Sequence, residues 1–82
     1  MTESPTIYFI DDEEPLRIAG QQTLNLADID CLCFDRAEAA LSQIDQEFEG
    51  VIVTDLRMPG MGGVALLHAI LQKDPQIPVI LV

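Results

Sequence analysis

Tryptophan is absent from this 82-residue chain, tyrosine and histidine each occur once, and lysine and arginine together number only four. The scarcity of bases matters most. Against them stand 14 acids, for a formal charge of −10, and a surface of that sign repels phosphate backbones and anionic lipid headgroups. Direct binding to nucleic acid or to a membrane surface is therefore excluded as an expectation, while cations and basic partners are attracted. No apolar run approaches the ~18 residues that a membrane-spanning helix needs, and no basic start followed by an apolar core marks a signal peptide, so the cytoplasm is the expected compartment. Linkers, internal repeats and low-complexity segments are also lacking. With 49% hydrophobic residues the chain has the material for a core, but at this length for one modest domain at most.

Cysteine is scarce too. Cys31 and Cys33 are the only pair; on a strand they point the same way, a poor geometry for bonding to each other. A Cys-x-Cys metal fragment would lack a second ligand pair, so two buried, reduced thiols are expected.

What is present is an alternation. Thr6 to Ile10 is a run of strand formers that stops abruptly at Asp11-Asp12-Glu13-Glu14. Pro15 suits the first turn of a helix over 15–27, with Leu16, Ala19, Gly20, Thr23, Leu24 and Ala27 at helical spacing. Asp30 to Phe34 predicts a second strand, and Asp35 with Glu38 has the spacing of a capping box opening a second helix whose stripe runs Ala37, Ala40, Leu41, Ile44, Phe48. Val51-Ile52-Val53 is a β-branched run expected to be buried on both faces, and it leads to Asp55. After Pro59, Gly60, Gly62 and Gly63, the positions Val64, Leu66, Leu67, Ile70 and Leu71 mark a third helix that Asp74-Pro75 ends. Pro78 to Val82 reads as a fourth strand. Strand and helix in strict turn predict an α/β domain, a parallel sheet with helices on both faces. A last strand this apolar wants cover on both sides, so residues 1–82 are expected to be a single, incomplete domain.

In such a sheet, reactive groups gather beyond the carboxyl ends of the strands. Asp11 and Asp12 end the first strand and Asp55 ends the third, so neighbouring strands would bring three carboxylates together. Like charges that close need a shared proton or a cation. All-oxygen ligands suit Mg²⁺, which would also hold phosphoryl oxygens while one carboxylate attacks phosphorus to give an aspartyl phosphate.

The segments Phe9-Ile10-Asp11-Asp12-Glu13-Glu14-Pro15-Leu16-Arg17 and Val53-Thr54-Asp55-Leu56-Arg57-Met58-Pro59-Gly60-Met61-Gly62-Gly63 together resemble the receiver domain of two-component response regulators. The first helix and the Asp-Leu-Arg-Met-Pro-Gly-Met run look nearest to receivers of the σ54-activator class, of the dicarboxylate-transport type. The resemblance spans essentially the whole chain and implies a flavodoxin-like, CheY-like fold with strand order 2-1-3-4, its last helix-strand-helix portion missing. It implies Asp55 as phosphoacceptor, and Mg²⁺ held by Asp12 directly, by Asp11 largely through water, by Asp55, and by the backbone carbonyl of Arg57. Pro59 and Gly60 would shape the loop beside them. Implied partners are a sensor histidine kinase, a second receiver in a dimer, and effector domains of a transcription regulator outside this chain.

The resemblance departs in two places. Where the family usually has a polar residue before a glycine, this chain has Gly62-Gly63, expected to loosen the start of the third helix by up to about 1 kcal/mol. The Ser or Thr after the fourth strand and the Lys after the fifth lie beyond Val82. Two other readings remain open: a degenerate or truncated receiver that binds metal or a partner without switching, and an aspartyl-phosphate hydrolase, for which Asp11-Asp12-Glu13 lacks the expected Asp-x-Asp. Arg57 is expected to face solvent, His68 to be a surface or boundary residue, and Met58 and Met61 to pack the loop.

Overall fold

A computed structural model of the chain describes residues 6–45 and 47–82; the polar lead at 1–5 lies outside them. The elements are β1 (Thr6–Ile10), α1 (Glu14–Leu26), β2 (Cys31–Phe34), α2 (Ala37–Leu41), β3 (Gly50–Thr54), α3 (Gly63–Lys73) and β4 (Val79–Leu81). The four strands form one sheet in the order β2-β1-β3-β4, and every pairing is parallel. Tyr8 lies opposite both Leu32 and Ile52, and Ile10 opposite both Phe34 and Thr54. The two neighbours of β1 are thus in matched register over Ile7–Ile10.

The two faces of the sheet are covered unequally. Tyr8, Ile10 and Ile52 point to the side where α2 and α3 pack, and with Ala37, Ala40, Ile44, Leu66, Ile70 and Ile77 they form the buried core. Tyr8 anchors it, its ring tilted against Phe48 at 4.6 Å and Phe34 at 5.1 Å between centroids, a geometry that favours ring edges over faces. The opposite face carries Ile7, Phe9, Cys31, Cys33, Val51 and Val53, all half-buried. Its cover is α1, none of whose residues is buried. This helix sits close at one point, where a Cβ on Gly20 would meet the Phe9 ring at 2.8 Å.

The expectation that Val51-Ile52-Val53 is buried on both faces is therefore corrected. Gly50, Ile52 and Thr54 are buried, but Val51 and Val53 are only half covered. An open apolar groove runs between Phe9, Val53 and the α1 residues Ala19, Gly20, Thr23 and Leu24, and Ile80 beyond it is half exposed. The period-2 alternation of a strand makes each face a separate burial problem, and one helix cannot cover four strands.

A second correction concerns α2. Arg36, not Asp35, takes the N-cap position, with no side-chain cap bond, and Asp35 only approaches the Arg36 guanidinium in solvent at 3.9 Å. Ala37 and Ala40 are fully buried in the core, and the helix forms without the side-chain cap that would contribute about 1 kcal/mol. The helix also stops at Leu41 instead of running to Phe48. Gln43 and Ile44 donate to carbonyls three residues back, the Ser42 hydroxyl donates to Ala39 O at 2.8 Å, and Asp45 Oδ1 takes the Glu47 N–H at 2.9 Å. Tightened winding followed by an Asp-centred turn ends helices. Ile44 and Phe48 still reach the core, so the stripe correctly marks burial but not helix.

The remaining elements match the pattern to within a residue or two. Pro15 lies in the first turn of α1. The expected terminator Asp74-Pro75 follows α3 directly, and Lys73 Nζ ties the end of α3 to Ile44 O at 3.2 Å. Of the α3 stripe, Leu66 and Ile70 are fully buried, whereas Val64 and Leu71 are exposed at its edges.

Candidate functional site

The backbone ladder sets the positions of the acids. The Asp11 N–H donates to Phe34 O at 3.1 Å and the Asp55 N–H to Ile10 O at 3.0 Å. Each carboxylate thus stands one residue past the register that aligns Ile10 with Phe34 and Thr54. Asp11 and Asp55 are brought side by side by sheet pairing alone, and the turn after β1 adds Asp12. Carboxylate oxygens of Asp11, Asp12 and Asp55 lie within 4.8 Å of one another. Asp11 is buried, Asp55 half-buried and Asp12 exposed, so the cluster opens outward at the carboxyl edge of β1 and β3.

Backbone donors hold two of the three. Glu13 N–H donates to Asp11 Oδ1 at 2.9 Å and Arg57 N–H to Asp55 Oδ1 at 3.3 Å. Arg17 reaches back from α1 and donates from Nη1 to the Asp11 carbonyl at 2.9 Å. That bond clamps the β1–α1 turn and brings one positive charge to the cluster. It is not enough. Two unit charges at ~4 Å repel by about 1 kcal/mol in water and about 4 kcal/mol at the lower dielectric of a protein surface, and here three acids meet. The donor set is all oxygen, one side faces water, and the charge is strongly negative. It fits a hard divalent cation that keeps several waters.

Arg57 is exposed, as expected, and its backbone N–H rather than its side chain touches Asp55. Met58 and Met61 pack against the core and His68 is exposed, also as expected. Pro59 is exposed, and Gly60 beside it has a positive φ of 76°, which glycine adopts without strain.

The Gly62-Gly63 pair resolves into two different residues. Gly62 is the extended N-cap of α3; a Cβ there would lie 3.3 Å from Leu56 O. Gly63 is buried, and its Cβ would lie 2.7 Å from the Asp55 carbonyl oxygen and 3.0 Å from Leu56 Cα. The absence of a side chain lets α3 begin against the segment that carries Asp55, with Gly63 N–H donating to Leu56 O at 3.0 Å. The second glycine therefore permits packing and does not merely loosen the helix. Gly63→Ala is expected to cost about 1–3 kcal/mol in urea unfolding, as overpacking does, while Gly62→Ala stays within about 1 kcal/mol of the parent.

Arg17 and Gly63 are site-supporting residues that sequence reasoning did not single out. A base one turn into a helix beginning beside two acids is a usable signal for the first. Nothing in the sequence separates Gly63 from its neighbour, because the clash arises only when α3 docks on the β3 end.

A parallel α/β sheet whose strand ends gather three aspartates defines an α/β domain with an acidic cluster that could hold a metal ion. The chain belongs to the response regulator receiver domain family, whose pattern matches residues 7–82. It is 45% identical over all 82 residues to the C4-dicarboxylate transport transcriptional regulatory protein DctD of Rhizobium meliloti, covering 18% of that protein. Over 75 residues it is 33% identical to the DNA-binding transcriptional regulator NtrC of Escherichia coli, covering 92% of this chain and 16% of that one. Among solved structures it resembles FixJ-N, with 36% identity and a TM-score of 0.88 over 98% of this chain and 64% of that chain. The chain thus spans less than a fifth of the length of these curated relatives. The expected strand order and CheY-like architecture are borne out, and so is the likeness to σ54-activator receivers.

Proposed function

We propose that the chain is the phosphoacceptor module of a two-component phosphorelay, with Asp55 as the residue that takes the phosphoryl group. The observation that carries this reading is the convergence of Asp11, Asp12 and Asp55 at the carboxyl edge of the sheet. The donor is a sensor histidine kinase: an Asp55 carboxylate oxygen bonds to phosphorus, the phosphorus–nitrogen bond of a phosphohistidine breaks, and the imidazole leaves with a proton. The chemistry is self-phosphorylation of a regulatory domain, not turnover of a free substrate.

Mg²⁺ is the ion these residues would hold, through Asp11, Asp12, Asp55 and the Arg57 carbonyl, and when bound it neutralises phosphoryl oxygens as charge builds up. The chain's own work is to orient. The Arg57 N–H bond to Asp55 Oδ1 fixes one carboxylate oxygen and leaves the other for attack, and Arg17 holds the turn that presents Asp11 and Asp12. By analogy with the regulators it resembles, the output is transcriptional, through effector domains of a longer regulator and with receiver dimerisation, in the cytoplasm. No described helix is long and apolar enough to cross a membrane.

The test is to incubate the intact chain with acetyl phosphate and Mg²⁺, to assay one portion for hydroxylamine-labile phosphate, and to reduce another with borohydride, which marks the phosphorylated aspartate as homoserine. One hydroxylamine-sensitive phosphoryl group per chain is expected, on the peptide containing Asp55 and only with the divalent ion. Phosphate on a serine or threonine, or labelling that ignores Mg²⁺, would refute the assignment.

A further inference from the structure

β2 is one of the two outer strands of the sheet. Its Cys31 and Cys33 leave it on the α1 side, since strand residues two apart share a face. Their Sγ atoms lie 3.7 Å apart, both thiols are free, and each is half-buried rather than sealed in the core. The thiols are reduced as expected but only partly buried, which corrects the expectation of buried ones, and the acidic site makes no use of them.

The separation decides what the pair can do. Strand residues two apart have Cα atoms about 6.6 Å apart, the wide limit for a disulfide, and the sulfurs would have to close to about 2.05 Å. β1 resists that movement, with Ile7 opposite Cys31 and Phe9 opposite Cys33. Two sulfurs bound at ~2.3 Å to one central atom lie about 3.8 Å apart at a tetrahedral angle and about 3.5 Å apart at the narrower angle of a pyramidal three-coordinate centre, so the 3.7 Å pair needs to close by only about 0.2 Å to hold the latter. The pair is thus spaced as a two-point clamp. No other cysteine exists in the chain. Among the described residues the only group of three or more metal-type ligands is the aspartate cluster. A four-coordinate or hard ion would find too few donors here, whereas a soft centre satisfied by two sulfurs would not.

We propose that Cys31 and Cys33 form a bidentate site for a soft, thiophilic centre of low coordination number, of the trivalent-arsenic type. With an arsenoxide the step balances without oxidation or reduction: two As–S bonds form, the arsenic–oxygen bond breaks, and the oxygen leaves as water with the two thiol protons. Burial foremost, and the sulfur hydrogen bond with Cys33, push the Cys31 thiol up to about 12. A thiol held protonated is a poor nucleophile, so loading of the pair is expected to be slow and the site is read by retention, not by rate.

Phenylarsine oxide added to the intact chain tests this by native mass spectrometry, followed by challenge with excess glutathione or ethanedithiol. One arsenical per chain is expected, blocking both thiols from alkylation, retained against the monothiol and stripped by the dithiol. Cys31→Ser and Cys33→Ser should each weaken retention by about 100-fold or more, the usual loss when a second linked contact is removed. Cys31→Ala, which keeps a small apolar group on that face, should do the same, with circular dichroism showing each variant folded. Equal retention by the single-cysteine variants, or arsenic bridging two chains, would overturn the proposal.

Discussion

Asp55→Asn should abolish phosphoryl uptake from acetyl phosphate while leaving the fold in place. The amide is isosteric with the carboxylate, and its oxygen can still accept the Arg57 N–H that now reaches Asp55 Oδ1 at 3.3 Å. What it lacks is a charged oxygen able to bond to phosphorus, so labelling should fall to background and not merely slow. Asp12→Asn makes the useful contrast. It keeps the nucleophile and removes one of three charges gathered within 4.8 Å. Labelling should then persist but need more Mg²⁺, by about tenfold, which corresponds to about 1.4 kcal/mol of lost ion binding. Calorimetric titration with Mg²⁺ alone would measure the same shift independently; with no tryptophan in the chain, indole fluorescence cannot report it. Undiminished labelling of Asp55→Asn would move the nucleophile elsewhere.

Ile52→Ala is expected to destabilise the chain by about 2–5 kcal/mol, the range for truncating a fully buried isoleucine. Ile52 has no exposed surface, lies opposite Tyr8 on one side and Val79 on the other, and sits on the strand that delivers Asp55. Whole-domain stabilities run to only ~5–15 kcal/mol, so the urea midpoint should drop steeply or the folded baseline vanish. Val53→Ala, one residue along the same strand, should cost less than half as much. Its side chain faces the thinly covered side and is only partly buried. Equal losses at the two positions would mean that the α1 face is packed as tightly as the other.

The acids and the strands that carry them were legible because both signals are local. A β-branched run that breaks at Asp11-Asp12 or at Asp55 can be read residue by residue, and parallel topology follows from the alternation. The stripe Ala37, Ala40, Leu41, Ile44, Phe48 does pack in or against the core, but only its first three residues are helical. Side chains on a turn can reach the core as well as those on a helix, and periodicity alone does not tell them apart. The capping spacing at Asp35 is likewise a local signal, and the helix takes Arg36 as its N-cap with no side-chain bond.

From the sequence alone came the alternating α/β plan, the excess of negative charge, and the placing of carboxylates at the ends of two strands, all consequences of chemistry within a few residues. Tertiary structure decided the matched register of the neighbouring strands β1 and β3, which turns separate aspartates into a cluster no wider than 4.8 Å. It also decided that Gly63 must lack a side chain, that Arg17 clamps the turn, and that two thiols stand at the spacing of a clamp. Each of these depends on which surfaces meet when helices dock on a sheet, and burial is settled by that meeting, not by the order of residues along the chain.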